Sequence, residues 1–159
     1  TVYVRDFAFP YAIVETSYGV IDPTTLVVSF PLSNSLNGSY YLELAYRHSA
    51  EFKNGINIWS SSNQNIAPYN AGTYNFTSAA SQAFGDNQIQ VGTVFTAYNG
   101  DINQDETIDA GDLASTENAV GEGLSGYTNN DVTGDDFVDA GDLALVENNV
   151  GLGVVAIYP

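Results

Sequence analysis

From residue 1 to about 98 the apolar positions come in short bursts broken by turn residues. In 39-SYYLELAYRH-48, Tyr40, Leu42, Leu44 and Tyr46 alternate with Tyr41, Glu43, Ala45 and Arg47. A period of two predicts a strand with one face buried and Glu43 on the solvent side. Further strands are predicted in the run holding Val2, Val4 and Phe7, which Pro10 closes, and at 11-YAIVET-16, 25-TLVVSFPL-32, 55-GINIWSS-61, 72-GTYNFT-77 and 88-QIQVGTVFTAY-98. The dipeptides 22-DP-23, 37-NG-38, 54-NG-55 and 67-AP-68 supply the turns between them. A helical turn or two fits 77-TSAASQAFG-85, with Thr77 or Ser78 as N-cap and Gly85 as the stop. Short strands, frequent turns and little helix predict an antiparallel β-sandwich, Ig-like or transthyretin-like, over residues 1–98.

After the junction Tyr98, Asn99 and Gly100 the pattern changes. An acidic stretch is followed twice by an amphipathic one ending in glycine, as 109-DAGDLASTENAVGEG-123 and 139-DAGDLALVENNVGLG-153. The hexapeptide DAGDLA is identical in both copies. Leu113, Thr116 and Val120 match Leu143, Val146 and Val150, one apolar stripe on each of two helices suited to packing together. The repeat is a duplication. The apolar tail 154-VVAIYP-159 predicts a strand or a segment docked on the body.

Each copy opens with a loop dense in carboxylates, 101-DINQDETIDAGD-112 and 131-DVTGDDFVDAGD-142. Calcium is a hard ion that takes six to eight oxygens, and a 12-residue loop supplies them from positions 1, 3, 5, 7, 9 and 12. In the first loop those are Asp101, Asn103, Asp105, the Thr107 carbonyl, Asp109 and Asp112. In the second they are Asp131, Thr133, Asp135, the Phe137 carbonyl, Asp139 and Asp142. Holding four acids so close costs several kcal/mol of repulsion, roughly, at intermediate dielectric, and a divalent ion reverses the sign. Two bound calcium ions are therefore expected. Magnesium fits less well, because it demands stricter octahedral geometry and fewer protein ligands. Position 8 is Ile108 and Val138, whose backbones are placed to pair between the loops. Position 6, where positive φ favours glycine, is Glu106 and Asp136.

Charge narrows the function classes. The 159 residues carry 19 Asp plus Glu against 3 Lys plus Arg, a formal charge of −16. Nucleic acid and anionic membranes call for the opposite sign, and no apolar run is long enough for a membrane helix. Without cysteine there is no disulfide framework or thiolate site. Abundant Asn, Ser, Thr and Tyr with few lysines points to an extracellular or cell-surface location.

Two such loops, each followed by a single helix, resemble a dockerin over about 100–153. That resemblance implies calcium binding and docking to a cohesin-like receptor through the helices. Many dockerins carry a Ser/Thr pair at loop positions 10 and 11; here those are Ala110–Gly111 and Ala140–Gly141. The wider succession 10-PYAIVETSYGVID-22, 38-GSYYLELAYRHS-49, 58-IWSS-61, 74-YNFTSAASQAFGDNQIQV-91 and 99-NGDINQDETIDAGDL-113 resembles a C-terminal region of secreted Bacteroidota-type proteins. It implies an extracellular accessory region with a β-sandwich running into the calcium module, here 1–98 and 99–159.

Catalysis finds no constellation in the sequence. His48 is the one histidine, and no G-x-S-x-G or phosphate-cradling glycine loop is present. Glu15 and Glu43 are the candidates for a glycosidase-like acid pair, and Trp59 with Tyr40, Tyr41 and Tyr46 for a sugar-stacking face. Strand and core packing is the simpler role for each. The expectation is a non-enzymatic structural or assembly protein, self-associating into a filament by strand addition through 1-TVYVRDFAF-9 and 154-VVAIYP-159. The alternatives are docking to a cohesin-like receptor, or carbohydrate binding.

Overall fold

The computed structural model describes residues 1–45 and 54–159. Tyr46, Arg47 and His48 of the expected strand lie outside the described residues. The chain is mainly antiparallel β, with two helices near its C-terminus. Strands β1 (Val2–Asp6), β2 (Ile13–Ser17), β3 (Gly38–Leu44), β4 (Ile58–Trp59) and β5 (Gln64–Ile66) form one sheet. Its order is β2-β1-β3-β4, with β5 also pairing β3. Strands β6 (Ile89–Val91) and β7 (Val94–Thr96) form a separate hairpin. Among the described residues, the two broad facing sheets of an Ig-like or transthyretin-like sandwich are not formed.

Several predicted strands resolve differently. Residues 26–32 and 72–77 carry no strand, and 88–98 folds back on itself as β6 and β7 around Gly92, whose φ of 61° makes the reversal. The 77–85 stretch holds two short 3₁₀ turns, Ala80–Gln82 and Phe84–Asp86, with Ala79 as the first N-cap and no side-chain cap. Gly85, at φ 66°, lies inside the second turn and does not close the first.

Register decides which side chains share a face, because directly paired residues point the same way. Val2 pairs Leu44 and Ser17, Leu44 pairs Ile58, and Val4 pairs Leu42 and Glu15. Val2, Val4 and Ile58 are buried on this apolar face. The opposite face carries Tyr3, Arg5, Tyr41, Glu43 and Trp59. It was expected to meet solvent, yet Glu43 is 3% exposed and Trp59 4%. Arg5 explains the burial. Its Nη2 and Nε lie 2.5 and 2.6 Å from Glu43 Oε2, and Asn57 Nδ2 donates to Glu43 Oε1 at 2.5 Å. Tyr11, Tyr41 and Tyr158 set their rings edge-on or tilted against Trp59, and the Arg5 guanidinium stands 5.2 Å from its ring centroid.

Helices α1 (Ala110–Glu122) and α2 (Ala140–Leu152) pack against each other. Their burial is in step. Asp112, Thr116 and Ala119 are buried in α1, and Asp142, Val146 and Asn149 in α2, with Leu113, Val120, Leu143 and Val150 half-buried beside them. The core beneath the helices joins Ile102, Ile108, Val132, Val146 and Val154 to one residue of the β region, Ile56, which is fully buried. Ile56 N donates to Tyr98 O at 2.9 Å and Gly100 N to Asn54 O at 2.7 Å, so segment 54–56 runs alongside the junction. The C-terminal tail is docked, as expected. Val154 is buried, and Ala156 N donates to Glu106 O at 2.8 Å.

Both segments proposed for strand addition are engaged within the chain. β1 lies between β2 and β3 with both edges paired, and Val155 bridges Thr107.

Candidate metal centre

Each loop is organised by its first and last aspartates. Asp112 Oδ1 accepts from Ile102 N at 2.7 Å and Asn103 N at 3.1 Å, and its Oδ2 accepts from Asp109 N at 2.9 Å. Asp101 accepts from Asp105 N at 3.0 Å and Glu106 N at 3.3 Å. The second loop repeats the scheme. Asp142 accepts from Thr133 N and Asp139 N, both at 2.9 Å, and Asp131 from Gly134 N, Asp135 N and Asp136 N at 2.7, 3.2 and 3.2 Å. These bonds wrap the backbone around buried carboxylates, and the last aspartate of each loop also helps to start its helix. Asp109 and Asp139 are N-caps whose side chains accept from Gly111 N and Gly141 N, and Asp112 and Asp142 close the capping boxes. Gly123 and Gly153, at φ 65° and 66°, cap the C-termini.

The remaining expected ligands lie at the rim. Asn103, Asp105, Asp109, Thr133, Asp135 and Asp139 are exposed, Thr107 is half-buried, and Phe137 is exposed. In the first loop Asn103 Nδ2 donates to Asp105 Oδ2 at 2.8 Å, and in the second Thr133 Oγ1 donates to Asp142 Oδ1 at 3.0 Å. Among the described residues no three acidic side chains stand as a ready-made carboxylate cage. The carboxylates are held instead by the loop's own amides.

The residues nevertheless fit a hard divalent cation. Every donor is oxygen: carboxylates, an amide or hydroxyl, and a backbone carbonyl. Asp101, Asp112, Asp131 and Asp142 are at most 1% exposed. The chain's 3 Lys plus Arg and its 1 His all lie before residue 54. Buried carboxylates are costly without a counter-charge, and a divalent ion is the counter-charge that this stretch of sequence lacks.

Position 6 behaves as the loop geometry demands. Glu106 and Asp136 have φ of 72° and 77°. Position 4 is left-handed too, with Gln104 at 62° and Gly134 at 77°. The first loop thus holds two non-glycine residues in this region and the second holds one.

The expected pairing of Ile108 with Val138 does not occur. Ile108 N donates to Val154 O at 2.9 Å, and Val138 N to Leu124 O at 3.0 Å. Each loop is zipped to the segment that follows the other copy's helix, as the bridges Thr107–Val155 and Ser125–Phe137 show. The glycine caps cause this, because they turn the chain back toward the opposite loop. Two asparagines reinforce the exchange. Asn99 Nδ2 donates to Val132 O at 3.4 Å and Asn129 Nδ2 to Ile102 O at 3.1 Å. Sequence reasoning missed both, although each stands two residues before its own loop, a recurrence as regular as DAGDLA.

The catalytic and sugar-binding candidates do not assemble. Glu15 pairs Val4 and Glu43 pairs Tyr3, neighbours that alternate in direction, so the two acids point to opposite faces of the sheet. Glu15 accepts from Ser33 N at 2.7 Å. Trp59 is enclosed by tyrosines and Arg5 and offers no open ring face.

Residues 99–151 match the family model of the dockerin type I domain. No curated protein and no solved structure matches the chain. No helix among the described residues is long and apolar enough to cross a membrane. Dockerin domains are non-catalytic modules that bind calcium through paired loops, dock to cohesin partners, and occur in extracellular or cell-surface proteins. The C-terminal part of this chain, with its duplicated loops, capped helices and crossed braces, is a dockerin-type calcium-binding module placed after an N-terminal β region.

Proposed function

We propose that this protein is a non-enzymatic extracellular docking protein. Its C-terminal module, within 99–159, binds two calcium ions, one per loop, and then a cohesin-like receptor. The observation that carries the reading is the repeated burial of Asp101, Asp112, Asp131 and Asp142 in a stretch devoid of basic residues. Calcium neutralises that charge and holds α1 and α2 as a rigid pair. The Asp109 and Asp139 caps tie the start of each helix to its loop, so ion binding and helix presentation are one event.

The two helices offer different surfaces to a receptor. Leu145 and Leu152 are exposed on α2, where the equivalent residues of α1 are Ser115 and Glu122. Seven residues apart, the leucines lie near one side of the helix. Positions 10 and 11 are exposed as Ala110–Gly111 and Ala140–Gly141, without hydroxyls. Docking therefore rests on an apolar α2 face, and a single orientation is favoured over two equivalent ones. Calorimetry against a panel of cohesin-fold receptors, with calcium and with EDTA, tests this. The expected result is a one-to-one complex that needs calcium and is weakened by Leu145→Ser. Binding unaffected by EDTA, or no binding across the panel, overturns it.

Self-association into a filament is the second reading. It is supported by β2, an edge strand whose Ile13 and Val14 are 48% and 44% exposed. Light scattering at rising concentration separates it from one-to-one docking. A monomer at every concentration removes it. Carbohydrate binding has less support, because the Trp59 ring is already covered.

A further inference from the structure

The matched module begins at residue 99, yet one residue far upstream reaches its second loop. Asn54 is fully buried, and its Nδ2 donates to the backbone carbonyl of Asp131 at 3.0 Å. Asp131 is the first residue of that loop, and its carboxylate gathers the amides of Gly134, Asp135 and Asp136. The backbone of Asn54 is fixed as well, since its carbonyl accepts from Gly100 N at 2.7 Å. Two residues on, Ile56 is fully buried in the core shared with Val132, the second residue of the loop. Asn54 is therefore held at both ends: by the junction on its main chain and by the loop on its side chain.

We infer that Asn54 is a positioning residue for the second loop, through which the β region sets that loop's affinity for calcium. The physical reason is orientation. A ligand carboxylate is effective only when its backbone is fixed, and partners one shell beyond a metal typically govern affinity by about 10- to 100-fold. Asn54 fixes the main chain at Asp131 without touching any ligand oxygen. Its own Oδ1 is buried with no partner among the described residues, so only the donor end of the amide contributes to this contact. An unsatisfied buried acceptor is costly.

The inference rests on the second loop being a calcium site, and the test keeps the two apart. Calcium titration calorimetry of the full chain would compare the unaltered protein, Asn54→Ala, and Ile56→Val, which trims the core shared by both loops but leaves the hydrogen bond from Asn54 to Asp131 in place. Asn54→Ala is expected to weaken one binding step about 10-fold and leave the other unchanged. Ile56→Val should leave the ratio of the two steps as it was. A uniform weakening of both steps by Asn54→Ala, or no weakening, overturns the inference while leaving the calcium sites intact. If the unaltered protein binds only one calcium ion per chain, the reading of the second loop itself fails. Should Asn54→Ala not fold, NMR of the unaltered protein decides. The Asn54 side-chain amide resonance should shift as the second loop fills, and a resonance indifferent to calcium rejects the role.

Discussion

Asn99 and Asn129 form a reciprocal brace: each stands two residues before its own loop and donates to the second residue of the other loop, Val132 and Ile102. Neither loop is therefore an isolated turn. Each depends on the other copy for its entry, through an asparagine, and for its exit, through the pairs Ile108–Val154 and Val138–Leu124.

The shorter brace should matter more. Asn129→Ala removes the 3.1 Å bond to Ile102 O and leaves that carbonyl without this donor. The expected loss is about 1 kcal/mol, read as a lower urea midpoint in saturating calcium. Asn99→Ala removes a 3.4 Å bond and should cost less. Equal effects would argue against the geometric ranking.

Backbone strain in the loops is open to relief. Asp136 is exposed at φ 77°, a region that costs a non-glycine residue about 1 kcal/mol. Asp136→Gly should raise stability by nearly that amount, measured by thermal unfolding. Gln104→Gly, at φ 62°, should do the same in the first loop. Glu106→Gly is a poorer choice, because the Glu106 carboxylate accepts a hydrogen bond from the Tyr158 hydroxyl.

Calcium removal should be felt beyond the loops. Each site filled at a hundredfold excess over Kd adds about 3 kcal/mol, or about 6–12 °C of Tm per site in a chain of this size. Because Ile56 shares the module's core and Tyr158 packs against Trp59, the near-ultraviolet circular dichroism of the aromatic cluster should change with EDTA too. Unfolding of the helices with an unaltered aromatic signal would show that the two regions are uncoupled.

Glu43 is the buried charge on which the aromatic face depends. Glu43→Ala strands Arg5, whose side chain is only 22% exposed, and deprives Asn57 of its acceptor. Removing one partner of a buried pair costs about 3 kcal/mol. Urea denaturation at neutral pH would measure it. A loss below about 1 kcal/mol would mark the pair as a surface bridge.

The sequence was informative where a pattern repeats at a spacing set by local geometry. The two helices and their glycine stops follow from rules that act over a few residues. Where the outcome depends on partners far along the chain, local reading failed. The segment 25-TLVVSFPL-32 has strand propensity but no strand; its end meets β2 through side chains, Ser17 Oγ donating to Pro31 O and Ser33 N to Glu15 Oε1, instead of a backbone ladder. Glu43 has the alternation of a solvent-facing acid but is buried, because Arg5, from another strand, supplies its counter-charge. Ile108 and Val138 were matched to each other by symmetry. Each instead pairs with the chain returning from the other copy's helix.

By itself, then, the sequence determined a duplicated acidic loop and helix whose charge and ligand spacing point to a cation, since both are written in neighbouring residues. Only the tertiary structure decided that the two loops are crossed, that Ile56 completes their core, and that Asn54 holds Asp131. Those contacts span 77 residues in the case of Asn54, and no local periodicity encodes which backbone carbonyl a distant amide will meet.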